Sequence, residues 1–182
     1  GRLHSLPGLE KQEIRSTGKL KGAGLRYASV EHTGNQSSSL EEVERVCALV
    51  DDILKSDTSW VDRDGVEAPI ALKDILIIAP YNAQVFALQE RLPDAFNGTV
   101  DKFQGQEAPI VIYSMTTSSH ADAPRGMEFL YSANRLNVAV SRAKCICVVV
   151  ASPTLFEAEC RTPRQIQLAN AFCRYLEMAS AI

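Results

Sequence analysis

The sequence predicts an α/β fold built on a mainly parallel sheet with helices on both faces, and three observations predict it. "DILIIAP", "PIVIYSM" and "CICVVVAS" are short unbroken apolar runs, the pattern of strands buried on both faces. Amphipathic stretches at helical spacing alternate with them, which puts helices on each side of parallel strands. The 182 residues, 46% hydrophobic and 23% charged, can enclose one sizeable core without disulfides or metal.

Each element follows in order. Residues 1–24 are polar and glycine-rich, and are expected to be an N-terminal flank with little regular structure ahead of an α/β core over 25–182. Leu25–His32 reads as a strand. Ser39 opens a helix, with Glu42 completing a capping box and Leu40, Val43, Val46, Cys47, Val50, Ile53 and Leu54 as its stripe. "SWVDRDGVEAP" reads as a surface excursion around an Asp-Gly turn; Asp62 and Asp64 lack the further ligands of a calcium loop. After the strand Asp74–Pro80, Asn82 is placed to cap a helix carrying Val85, Phe86, Leu88 and Leu92. "TVDKFQGQE" links a short strand to the strand Pro109–Met115. A long polar connection leads to a helix over Tyr131–Lys144 and then the third buried strand. Thr162, Pro163 and Gln165 start the last helix, whose stripe is Ile166, Ala169, Phe172, Cys173 and Leu176.

Charge and cysteine usage narrow the function. A net charge of -3 excludes a generally basic chain that coats nucleic acid, so any such contact is local and uses few cations. The five cysteines form no CxxC pair and have no histidine at zinc spacing, which points to reduced thiols, a cytoplasmic location and no metal site. No run reaches the roughly 18 apolar residues of a membrane span, so no membrane partner is expected. "GRLHSLPG" opens the chain without an initiator Met, and the chain is expected to be a fragment of something longer.

A phosphate-cradling P-loop needs G-x-x-x-x-G-K-[ST], and "STGKLKG" fails it: Leu20 follows Gly18-Lys19 and no predicted strand precedes them. There is no G-x-S-x-G elbow and no H-E-x-x-H, and His4, His32 and His120 support no Cys–His pairing. Three clusters remain. In "NRLNVAVSRAK", Arg135 and Arg142 stand two turns apart on one helix face and suit phosphate oxygens, or are two solvated arginines. In "TVDKFQGQE", Gly105 permits close backbone approach, Thr99 and Gln104 can donate to phosphate and Glu107 can accept from a sugar hydroxyl; the plain alternative is a polar turn pinned by Phe103. In "PYNAQ", Tyr81, Asn82 and Gln84 sit at a helix N-terminus, which favours anions or is simply a cap.

Taken in order, "ILIIAPYNAQV", "TVDKFQGQEAPIVIYSM" and "FLYSANRLNVAVSRAKCICVVVAS" resemble motifs IV, V and VI of superfamily 1B helicases, the relatives of the helicases of nonsense-mediated decay and Okazaki-fragment processing. The likeness covers about Leu25 to Leu176 and is nearest to bacterial proteins joining a RecB-like nuclease to such a helicase. It implies the second RecA-like motor domain, a P-loop NTPase fold without the P-loop itself. ATP and Mg2+ would be held by an N-terminal RecA-like domain of the same parent chain, leaving the isolated fragment inactive. Carried over by position, Arg142 matches the arginine finger, Gly105, Glu107 and Arg135 the ATP contacts (Arg135 alternatively anchoring its helix by an ion pair), and Thr99, Gln104, Tyr81, Asn82 and Gln84 the nucleic-acid contacts. The partner implied is single-stranded nucleic acid, with DNA favoured and 5′ to 3′ movement. The family's Q-Y-R-M-H-P segment is absent, so the domain's first element is expected to be missing. The competing reading is a RecA-like docking module without catalysis. A free-standing nucleotide binder would need a better glycine turn than "EHTGNQSSS".

Overall fold

The computed structural model describes residues 8–103 and 105–182. Its elements run β1 (Glu13–Arg15), β2 (Gly24–Ser29), α1 (Leu40–Lys55), β3 (Ser59–Val61), β4 (Glu67–Pro69), β5 (Ile75–Ile78), α2 (Asn82–Arg91), β6 (Phe96–Gly98), β7 (Ala108–Ser114), α3 (Gly126–Leu130), α4 (Ala133–Ser141), β8 (Ala143–Ala151), α5 (Pro163–Met178) and β9 (Ser180–Ala181). Six strands form one sheet in the order β6-β5-β7-β8-β2-β9, and every pairing in it is parallel. This is the mainly parallel α/β architecture that the apolar runs predict, in the RecA-like form that the resemblance implies.

The central strands read as unbroken apolar runs because alternate residues feed two cores. On one face Leu76, Ile78, Val111, Tyr113, Cys147 and Val149 pack with Leu136 and Ala139 of α4 and Phe172 of α5. On the other, Ile75, Ile77, Ile110, Ile112, Ile146 and Val148 meet α1 and α2 through Val43, Val46, Ile53, Val85 and Leu88.

Four local expectations change. Residues 8–24 are not a bare flank. β1 pairs antiparallel with β3, and β3 with β4, in a second, three-stranded sheet, while Ile14 and Leu20 are buried beside α1. The helix expected over Tyr131–Lys144 is two helices. The break falls at Tyr131 and Ser132, where the buried Tyr131 hydroxyl donates to the Leu155 carbonyl and Ser132 caps α4 by accepting from the Arg135 N–H; Lys144 already belongs to β8. Asn82 is the first residue of α2 and not its cap: extended Tyr81 holds that position. Ser39 does cap α1, accepting from Glu42 N–H at 3.2 Å, but the Glu42 carboxyl turns into the protein instead of closing the box. Four stripe positions also face outward: Leu40 (68% exposed), Leu54, Phe86 and Ile166, while Leu49 and Leu168 are buried in their helices. The capping box at Thr162 and Gln165 forms as the sequence indicates.

Candidate functional site

A parallel sheet has two chemically distinct ends, and the predicted residues divide between them. The strands β5 and β6 end at Ile78 and Gly98, which are register partners. The residues that follow, Tyr81, Asn82 and Thr99, line a carboxyl-edge cavity of about 330 Å³ together with Asp101, Arg125 and Arg135. Asn82 and Thr99 reach it because α2 starts there and β6 ends there. The Tyr81 ring is buried, its phenolic oxygen has no hydrogen-bond partner, and burial raises its pKa. Arg135 comes from the first turn of α4, which begins at this edge. One of its nitrogens lies 3.6 Å from Asp101, and its guanidinium carbon 4.3 Å from the Phe129 ring centroid.

The opposite, amino edge gathers a second set. Glu107 is exposed in a cavity of about 690 Å³ with Ser141, Lys144 and Cys145; Trp60 and Asp62 of the small sheet's hairpin close its other side. Ala108 donates to the Arg142 carbonyl at 2.9 Å, so Glu107 and Arg142 are held as neighbours although they are far apart in sequence. Arg142 forms the C-terminal cap of α4, and its Nε is sealed from solvent without a hydrogen-bond partner among the described residues. Arg135 and Arg142 thus lie at opposite ends of one helix, roughly 10 Å apart along its axis. Arg135 is not brought to the edge of Glu107 and Arg142, contrary to its grouping with the ATP contacts. Its spacing from Arg142 put both on one face, and that alone could not tell which end of the sheet each would reach.

Between the edges runs residues 99–107, a crossover from β6 over β5 to β7 that uses no helix. Val100 and Phe103 are buried on the sheet face and pin it. Two glycines make the path possible. A Cβ on Gly98 would lie 2.5 Å from Lys102 Cδ and 3.0 Å from Phe103 Cε2, so a side chain there requires Lys102 and Phe103 to move. Gly105 has φ +85, a left-handed conformation that costs other residues energy. Gln104 lies outside the described residues.

Gln84 has a different task from the nucleic-acid contact expected of it. It is fully buried, and its amide donates to Ser39 O at 3.1 Å and Ser114 Oγ at 3.0 Å and accepts from Ser39 N–H at 2.8 Å. Beside it, Glu42 accepts from Ser114 Oγ–H at 2.5 Å and Thr116 N–H at 2.8 Å and bonds His32 Nε2 at 3.0 Å; His32 Nδ1 meets Ser118 Oγ at 2.8 Å. This buried network holds the segment after β7, where Thr116 has the strained φ of 73. The capping-box reading hid it, because a Glu three residues past a Ser is ordinarily spent on the cap.

Gly18 and Lys19 also have a structural task. The Lys19 N–H donates to Asp52 at 3.1 Å, and Thr17 Oγ1 donates to the Ser56 carbonyl at 2.9 Å, which satisfies the end of α1. Among the described residues no group of three His, Cys, Asp or Glu side chains is arranged to hold a metal ion, and no helix is long and apolar enough to cross a membrane.

An all-parallel six-stranded sheet with helices on both faces and polar clusters at its two edges is the RecA-like α/β fold. The chain belongs to the AAA domain family, whose model matches residues 21–154. It is similar to the DNA polymerase alpha-associated DNA helicase A of Schizosaccharomyces pombe, 38% identical over 95 residues, or 50% of this chain and 14% of that protein. It is also similar to the putative helicase mov-10-B.1 of Danio rerio, 30% identical over 145 residues, 71% of this chain and 14% of that protein. Helicase sen1 of S. pombe is 32% identical over 133 residues, 66% of this chain and 7% of that protein. These homologues are helicases of the superfamily that motifs IV to VI indicate, and the chain spans at most about 14% of their length.

Proposed function

We propose that this chain is the second motor domain of an ATP-dependent superfamily 1 helicase that moves along single-stranded nucleic acid, DNA favoured, in the 5′ to 3′ direction. The observation that carries the reading is Arg142: a cation at the amino edge, beside Glu107, with a buried Nε that nothing in the described residues satisfies. Another RecA-like domain would hold the triphosphate and its magnesium. Arg142 then neutralises charge on the γ-phosphate as it transfers, and Glu107 accepts from the ribose hydroxyl, with Gly105 keeping the backbone close. At the other edge Thr99, Tyr81 and Asn82 meet the phosphate backbone, which makes binding tolerant of sequence. The crossover 99–107 joins the two edges, so closure over ATP displaces Thr99 relative to the strand it grips. The likeness to helicase–nuclease fusions extends the proposal to a RecB-like nuclease in the same parent. The free state of all five cysteines supports a cytoplasmic setting.

The test is single-strand-stimulated ATPase of the full-length protein. Arg142→Ala is expected to lower turnover by about 10³-fold, while ATP and a single-stranded oligonucleotide still bind. Unchanged turnover makes Arg142 structural and brings the docking-module reading forward.

A further inference from the structure

We propose that Arg125 and Arg135 form a two-guanidinium seat for one backbone phosphate of the single strand, with Asp101 as the counter-ion that the phosphate displaces. The proposal rests on the nucleic-acid reading of the carboxyl-edge cavity and adds Arg125 and Asp101 to it. Both arginines use one ring: the guanidinium carbons of Arg125 and Arg135 lie 3.8 Å and 4.3 Å from the Phe129 centroid. Stacking on an aromatic face fixes the guanidinium plane and leaves the N–H edge free for a planar or tetrahedral oxyanion. The i, i+4 spacing of Arg125 and Phe129 builds the first stack within α3 and its approach, and α4 delivers Arg135 to the same ring.

Charge decides what the seat accepts. Arg135 is paired with Asp101, but at 3.6 Å and with an aspartate side chain that is 80% exposed, an ion pair of the weak, solvent-screened kind. Arg125 is exposed and, among the described residues, has no carboxylate within ion-pair distance. The cavity therefore holds two cations against one exchangeable carboxylate. The buried Tyr81 ring and Thr99 line it, and the start of α2 adds the favourable end of a helix dipole. A phosphodiester meets all of these at once. An apolar or cationic ligand meets none. In a chain of net charge -3, a concentrated site of this kind is how a weakly acidic protein can hold a polyanion.

The test measures binding of a fluorescent 20-nucleotide oligothymidylate to the full-length protein across a salt series, with the ATP KM measured alongside. Arg125→Ala is expected to weaken binding about 5- to 10-fold at low salt and to reduce the slope of log K against log salt by about 0.7, one phosphate contact on a single strand. Arg125→Lys is expected to keep that slope while losing part of the affinity, because the charge remains and the planar stack does not. Asp101→Asn is expected to tighten binding about 2- to 5-fold, since phosphate no longer competes with a carboxylate. Wild-type binding with an affinity and slope indifferent to Arg125→Ala overturns the seat but leaves the motor reading standing. A raised ATP KM with unchanged oligonucleotide binding overturns it too, and assigns the cavity to nucleotide. Failure of the wild type itself to bind the oligonucleotide removes the nucleic-acid reading, and the seat with it.

Discussion

The two edges of the sheet differ in which polar groups the chain leaves without partners. At the carboxyl edge Gln84, Glu42, His32, Ser114 and Ser118 bond one another out of water, while the Tyr81 and Thr116 hydroxyls have no partner among the described residues and Arg135 meets Asp101 and Phe129. At the amino edge Arg142 keeps a sealed Nε with no partner beside an exposed Glu107. A buried donor without an acceptor costs about 1–3 kcal/mol, and among the described residues Arg142 carries that cost at one edge and Tyr81 at the other. The difference teaches that the open polar groups take different forms: two guanidiniums sharing one ring at the carboxyl edge, and one sealed arginine nitrogen at the amino edge.

The largest effect should come from breaking the buried network at the carboxyl edge. Glu42→Ala strands the Ser114 hydroxyl, the Thr116 N–H and the His32 imidazole in a water-free layer. Loss of about 3–5 kcal/mol is expected, read as a lower urea midpoint at unchanged slope. Glu42→Gln keeps one acceptor oxygen and should lose less. Equal losses for the two variants would mean that the network is a packing feature and not a set of hydrogen bonds. The next effect concerns the link between the edges. Gly98→Val drives side-chain atoms into Lys102 and Phe103, and so shifts the crossover. Because misplacement by about 1 Å can cost on the order of 10²-fold in rate, stimulation of ATPase by the oligonucleotide should fall by about that factor. Each ligand should still bind its own edge. If stimulation survives, the edges communicate by a route other than residues 99–107.

The sheet was legible in the sequence because its strands are buried on both faces, and that requires runs such as "ILII" and "CICVVVA" that no surface element would carry. The last helix was legible to its cap, since Thr162 and Gln165 act locally. What depended on distant contacts was not. Ile14 and Leu20 are two apolar residues in a polar stretch, too few to show a strand, and only the hairpin Ser59–Pro69 gives β1 its partner. Gln84 and Tyr81 are three residues apart in one motif, yet the start of α2 turns one into the core and the other toward a cavity. Within the candidate site, Thr99 and Glu107 were identifiable as residue types. Their separation to opposite edges follows only from the helix-free crossover. Arg125 lies in a stretch that reads as a long polar connection, and Arg135 joins it on Phe129 only through the break between α3 and α4.

The smallest effect tests whether the hairpin truly covers the amino edge. Cys145 and Cys147 alternate along β8 toward opposite cores, and burial pushes the first thiol up to about 11 and the second up to about 12. Deprotonation creates a buried thiolate, so a raised pKa means that the reactive form is scarce below it. At pH 8 the thiolate fractions are about 10⁻³ and 10⁻⁴, far below those of an ordinary exposed thiol. Iodoacetamide should therefore modify the half-buried Cys160 and Cys173 first, Cys145 much later and Cys147 last. Between pH 8 and pH 10 both slow rates should climb by about 100-fold, because each thiol is still titrating. Cys145 lines the amino-edge cavity under Trp60, and Cys147 does not depend on the hairpin for its cover. Mass spectrometry of timed digests would separate the two. Should Cys145 react as fast as Cys160 at pH 8 while Cys147 stays slow, the hairpin does not stay over the amino edge, and the wall beside Glu107 opens to solvent before any nucleotide arrives.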